Sequence, residues 1–160
     1  MIYSSSECNP RETGKIKIST CSASSEHDSD HTCEKAFDAD TSNAEWAISS
    51  EAQGVGSWIK IEFKGLYRVT KVKTYPRSTV EEMFKNISLE FEDGTIENFA
   101  LGTGVEWSEL ILTETAASKF VKIKGLEVYG DQKNGFREVE VFGCPIGKLN
   151  YPEYMNCHYT

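Results

Sequence analysis

An all-β sandwich of jelly-roll type, with about eight antiparallel strands, is the fold this sequence predicts. Short runs of alternating or β-branched residues recur at 15–20, 57–63, 67–75, 86–92, 109–113, 119–124 and 137–142, separated by Gly, Asp, Asn and Ser. Asp93-Gly94 follows one of those runs and is a strong signal for a two-residue hairpin. No window sustains a 3.6-residue period, and only residues 33–37 read as a single helical turn.

Each run has its own justification. Residues 15–20 place Ile16 and Ile18 on one face, and 57–63 does the same with Ile59, Ile61 and Phe63. The run 67–75 alternates apolar residues with lysines up to Pro76, which cannot continue a ladder. Residues 86–92 align Ile87, Leu89 and Phe91, and after Asp93-Gly94 the segment 95–101 returns as the partner strand. The runs 109–113, 119–124 and 137–142 complete the set, and beyond them Pro145, Gly147 and Pro152 interrupt the pattern. The expected organisation is a flank at 1–14, one domain at 15–144 and a tail at 145–160 that carries Tyr151, Tyr154 and Tyr159.

At 160 residues the chain suits one domain with its own core. Its 17 basic side chains against 25 acidic ones give a net charge of −8, which repels phosphate backbones and anionic lipid. Nucleic acid and membrane lipid are therefore excluded as expected partners. No apolar run approaches the roughly 18 residues of a membrane helix, and Met1-Ile2-Tyr3-Ser4 does not open a basic-then-apolar leader. Any export signal is expected to have been removed or never included. Five cysteines in a small β-rich chain point to an oxidising, secreted setting and leave at least one thiol without an intrachain partner.

The motifs that carry chemistry start with the acidic turn Ala36-Phe37-Asp38-Ala39-Asp40, leading to Trp46, and end with the late strand Glu138-Val139-Glu140-Val141-Phe142-Gly143-Cys144. Side-chain carboxylates on Asp38 and Glu138, with the carbonyls of a tight turn, are the hard oxygen ligands that suit calcium. A turn stabilised by aspartates bonding their own backbone is the other reading. The order of these pieces, with Ser22 to Ser25, the segment from Trp58 to Phe63 and Tyr75-Pro76-Arg77, resembles the discoidin domains, also called coagulation factor V/VIII C-type domains. Family-32 carbohydrate-binding modules and fucolectins are their relatives among the galactose-binding-like jelly rolls. The resemblance covers about 16–144.

That resemblance implies a structural calcium ion held by carbonyls of Lys35, Asp40 and Ala44 and carboxylates of Asp38 and Glu138. The chain departs from the family pattern with Ala39 in place of the usual Gly and Ala44 in place of Thr or Ser. It also implies disulfides Cys8–Cys144 and Cys21–Cys33. Cys157 is then left either as an inert or capped thiol or as a bridge between two chains in a homo-oligomer.

Recognition in such a fold is expected in the loops 26–32, 47–56, 76–84 and 130–136, which a rigid sandwich presents at one end. His27, His31, Arg77 and Phe136 have the side-chain chemistry that sugars need, planar hydrogen-bonding groups and an aromatic ring. Arg77 follows a strand end where related lectins place a ligand-contacting Arg, although pairing with Glu81 or Glu82 on the surface is an equal reading. The fucose pattern of the relatives is incomplete, since Arg77-Ser78-Thr79 lacks its Asp and Phe84 stands where a second base belongs.

Other features have plainer readings. His27 to His31 suits a solvated loop better than a zinc site. Trp46 and Trp58 are expected in the core. Asn86-Ile87-Ser88 is a glycosylation sequon, used only where Asn86 faces water. No nucleophile elbow, metalloprotease motif, phosphate loop or dinucleotide fingerprint occurs, so no enzyme is expected. The sequence thus predicts a secreted, calcium-stabilised lectin-like module for carbohydrate or glycoprotein; an adhesive scaffold without a sugar site is the competing reading.

Overall fold

The computed structural model describes residues 13–146. Cys8, Cys157 and nearly all of the 1–14 flank and 145–160 tail lie outside the described residues. The elements are β1 (Gly14–Lys15), β2 (Ile18–Ala23), a 3-10 turn (Cys33–Phe37), β3 (Trp46–Ala47), β4 (Trp58–Pro76), a second 3-10 turn (Val80–Glu82), β5 (Phe84–Phe91), β6 (Ile96–Ala100), β7 (Ser108–Val128) and β8 (Gly135–Pro145). All ladders among them are antiparallel.

Two long strands build both layers of the sandwich. The first part of β4 lies between β2 and the second part of β7, and β5 and β6 extend that layer. The second part of β4 lies between β8 and the first part of β7, with β1 and β3 also on β8. The expected runs 57–63 and 67–75 are therefore one strand, as are 109–113 and 119–124. Register shifts between Glu62 and Tyr67 mark the crossing, where Lys64 and Gly65 interrupt the alternation that made the runs look separate.

The alternation buries Ile59, Ile61, Ile87, Leu89, Val121 and Ile123 from one layer against Val69, Val72, Val139 and Val141 from the other. Near one end Trp46, Phe84 and Phe136 stack, with ring centroids 5.2 to 6.4 Å apart. Trp46 is in the core, as expected. Trp58 is not: it precedes inward-facing Ile59, so its ring lies half-buried on the outer face with the Lys122 ammonium 4.8 Å from its centroid. The Asp93-Gly94 hairpin forms, with Gly94 at φ +88° and the Phe91 N–H donating to the Thr95 carbonyl at 3.0 Å.

The disulfide Cys21–Cys33 is present and pins the 3-10 turn to β2. Cys144 is also disulfide-bonded. The implied Cys8–Cys144 pairing involves Cys8, which lies outside the described residues.

Candidate functional site

The four loops proposed for recognition converge at one end of the sandwich through a series of hydrogen bonds. The His27 N–H donates to the Ala47 carbonyl at 2.8 Å, and the Ser49 N–H to Ser25 Oγ at 3.0 Å. The Ile48 N–H donates to the Asn134 carbonyl at 3.0 Å, and the Gly54 N–H to Asp131 Oδ1 at 2.7 Å. Asn134 Nδ2 donates to the Met83 and Gly130 carbonyls, joining 76–84 to 130–136. The Cys21–Cys33 bond and the Cys33 N–H donated to Glu26 Oε2 at 2.6 Å hold the first loop at its base.

Within this end, each nominated residue has a definite place. Arg77 is 8% exposed: Nη1 donates to the Lys133 carbonyl at 2.6 Å and pairs with Glu82 at 2.7 Å, while Nη2 pairs with Glu45 at 2.9 Å. Its pairing with Glu82 is buried, not on the surface. Phe136 is 2% exposed and stacked in the core, so neither face of its ring is open to a sugar; the Gly135-Phe136 approach to β3 drives it inward. His27 and His31 are partly exposed and share Asp28, at 3.6 and 2.6 Å. The His31 hydrogen bond is the main cause that holds the Asp28 carboxyl below its ordinary range.

Sequence reasoning did not single out Glu45 and Arg137, which complete this network. Glu45 sits between Arg77 and Arg137, and Arg137 Nη1 also donates to the Thr41 carbonyl at 3.2 Å. Burial pushes the Glu45 carboxyl up, but the two guanidinium groups outweigh it and hold it below the usual range. The signal was position alone: Glu45 ends the acidic turn and Arg137 precedes Glu138.

Of the nominated calcium ligands, Asp38, Asp40 and Glu138 belong to one hydrogen-bonded turn beside that network. Asp38 and Asp40 each bond their own turn: the Asp40 N–H donates to Asp38 Oδ1 at 3.0 Å, and the Ser42 N–H to Asp40 Oδ1 at 2.8 Å. Ala39, at φ 65°, takes the left-handed conformation that a Gly would adopt without cost, and its N–H donates to Glu138 Oε2 at 2.7 Å. Glu138 is 2% exposed and its Oε1 is buried with no hydrogen-bond donor. Burial raises its pKa to about 7; the Ala39 N–H opposes that rise and the Asp38 charge adds to it. A buried carboxylate oxygen without a donor, beside a second carboxylate, fits a hard cation. Asp38 and Glu138 would supply its charge, and carbonyls of Lys35, Asp40 and Ala44 its neutral ligands. Such an ion would fix the turn and take no part in chemistry.

Comparison with known proteins agrees with the fold. A family model described as "Domain of unknown function (DUF7402)" matches residues 16–142. No curated protein sequence matches the chain. Among solved structures, the family 32 carbohydrate-binding module of NanJ from Clostridium perfringens, in complex with galactose, superposes with a TM-score of 0.63 at 16% identity, covering 82% of this chain and 94% of that one. Chitosan-binding module 1 from the chitosanase/glucanase of Paenibacillus sp. IK-5 gives 0.62 at 22% identity, with 78% and 94% covered. The family 32 module of AlyQ in complex with 4,5-unsaturated mannuronic acid gives 0.61 at 20% identity, with 81% and 98% covered. The chain thus shares the jelly-roll fold of these carbohydrate-binding modules.

Proposed function

We propose that this chain, which belongs to the DUF7402 family, is a secreted, non-catalytic carbohydrate-binding module stabilised by calcium. The observation that carries the reading is the convergence of loops 26–32, 47–56, 76–84 and 130–136 into one hydrogen-bonded end of a jelly roll whose fold is shared with modules solved on sugars. His27, His31 and the polar backbone of these loops offer hydrogen bonds to hydroxyls. Arg77 ties loop 76–84 to loop 130–136 and to Glu45 just before β3, being committed to Glu45, Glu82 and Lys133. The Cys21–Cys33 bond supports an oxidising compartment.

A glycan array with the purified protein, run with calcium and again with chelator, tests the reading. Binding to a coherent set of sugars, weakened by chelator, is the expected outcome. A blank array for folded protein would leave a protein-binding or adhesive scaffold as the better account.

A further inference from the structure

Stacking on a sugar needs an aromatic ring that solvent can reach, and the four recognition loops do not supply one. Apart from His27 and His31, their aromatic side chains are Phe84 and Phe136. These are 3% and 2% exposed and stack on Trp46 in the core.

A fifth connection, residues 101–107 between β6 and β7, meets the same end. The Leu101 N–H donates to the Lys85 carbonyl at 2.8 Å, and the Leu101 carbonyl accepts from the Tyr129 hydroxyl at 2.5 Å, so the connection leaves from beside loops 76–84 and 130–136. It returns at Trp107, whose neighbour Ser108 pairs with Thr74 just before Tyr75-Pro76-Arg77. There the rings of Trp107 and Tyr75 form a corner, with centroids 5.3 Å apart and planes at 76°. The Tyr75 hydroxyl donates to the Val105 carbonyl at 3.3 Å, and the Lys73 ammonium lies 4.9 Å from the indole centroid. Trp107 is partly exposed and residues 102–106 before it are all exposed, so solvent reaches the corner.

We infer that the Trp107–Tyr75 corner is the stacking platform of the recognition end and takes a hexopyranose unit through a face of C–H bonds. This rests on the carbohydrate reading of the same end. The C–H bonds on one face of a pyranose carry partial positive charge, which meets the negative face of the indole. The Tyr75 oxygen, already a donor to Val105, keeps a lone pair for a sugar hydroxyl, and the Lys73 ammonium has protons to donate to another. The ring sought in Phe136 is thus supplied from outside the four loops.

The experiment follows the indole N–H signals of Trp46, Trp58 and Trp107 separately by nuclear magnetic resonance. Methyl β-pyranosides of glucose, galactose and mannose are titrated in, with glucitol as an acyclic control. A saturable shift of the Trp107 signal with at least one pyranoside is expected, with none at Trp58 and none from glucitol. Trp107→Ala should weaken that sugar roughly tenfold, whereas Trp107→Phe, which keeps a flat ring, should recover most of the loss. Trp107 precedes the β7 ladder, so both variants should melt near the parent, and the parent spectra give a reading that needs neither variant.

Sugar binding that leaves the Trp107 signal unmoved, or an alanine variant that binds as the parent does, overturns the inference and leaves the carbohydrate reading standing. A phenylalanine variant as weak as the alanine one does the same. Glucitol shifting Trp107 as strongly as the pyranosides also overturns it, because hydroxyl contacts alone would then suffice. Failure of every pyranoside overturns both.

Discussion

At Glu138 the cost of a buried charge can be followed through pH. The folded-state pKa of about 7 lies above the ordinary 4.5, so metal-free protein takes up a proton on folding between those values. The contribution of Glu138 to stability in chelator is then full at or below about 4.5 and is lost as pH rises to about 7, since the folded state must ionise a carboxylate against its burial. The whole rise corresponds to at most about 3 kcal/mol. If calcium binds here it should reverse the slope, because the ion needs the carboxylate ionised and competes with the proton. Melting curves between pH 5 and 8, with and without calcium, read both effects. Glu138→Gln should flatten the chelator profile and abolish the calcium shift; a calcium shift that persists in that variant would remove Glu138 from the ligand set. Arg77 makes the complementary case. Truncating it strands Glu45 and Glu82 with partly buried charge, so Arg77→Met should cost about 3 kcal/mol, seen as a lowered denaturant midpoint before any ligand is added.

Strands and turns position these residues through close backbone approach. A Cβ on Gly135 would collide with the Trp46 carbonyl oxygen, so β3 can lie on β8 only with glycine there. Gly135→Ala should cost roughly 1–3 kcal/mol, measured by urea unfolding, and should loosen the loop end that β3 leads into. The Cys21–Cys33 bond closes a loop of sequence separation 12. Replacing both cysteines with serine should cost about 3 kcal/mol in the chain-entropy model and speed amide exchange across residues 26–32. At this scale much was legible in the sequence. The period-two runs from 57 onward, the Asp93-Gly94 hairpin and the turn at 33–37 form, because side-chain alternation and turn chemistry are local properties, whereas the expected strand 15–20 is split at Ile16-Lys17 into β1 on β8 and β2 on β4. The continuity of β4 and β7 was not, since an extended strand that changes layer looks like two strands when Lys64-Gly65 breaks the alternation. Two-residue β3 has no period to detect. Burial of Arg77 and Phe136 depends on partners 32 to 56 residues away or across the core, and neither leaves a local mark.

For the molecule as a whole, the turn that fits calcium and the loops that fit a ligand share one charged network. The chain runs from Asp38 through Asp40 and Ala44 directly into Glu45, and Glu45 binds both Arg77 and Arg137. Arg137 in turn holds the Thr41 carbonyl and precedes Glu138 along β8, so both sides of the metal turn are tied to the same guanidinium groups. Ordering the turn with an ion should therefore order the recognition loops before a ligand arrives, and the ligand should find part of its entropic cost already met. Linkage makes the effect reciprocal: glycan binding should tighten calcium by the same factor as calcium tightens glycan, roughly tenfold for a coupling in the usual range. Titrating sugar at saturating calcium and in chelator, then calcium with and without sugar, measures both sides of that cycle. Glu45→Gln keeps the shape of the side chain but weakens its hold on two arginines, so it should bind calcium nearly as the parent does while losing most of the coupling. If the variant retains the full factor, the loops are ordered by some route other than Glu45; if the parent shows no factor at all, the ion stabilises the fold without reaching the site.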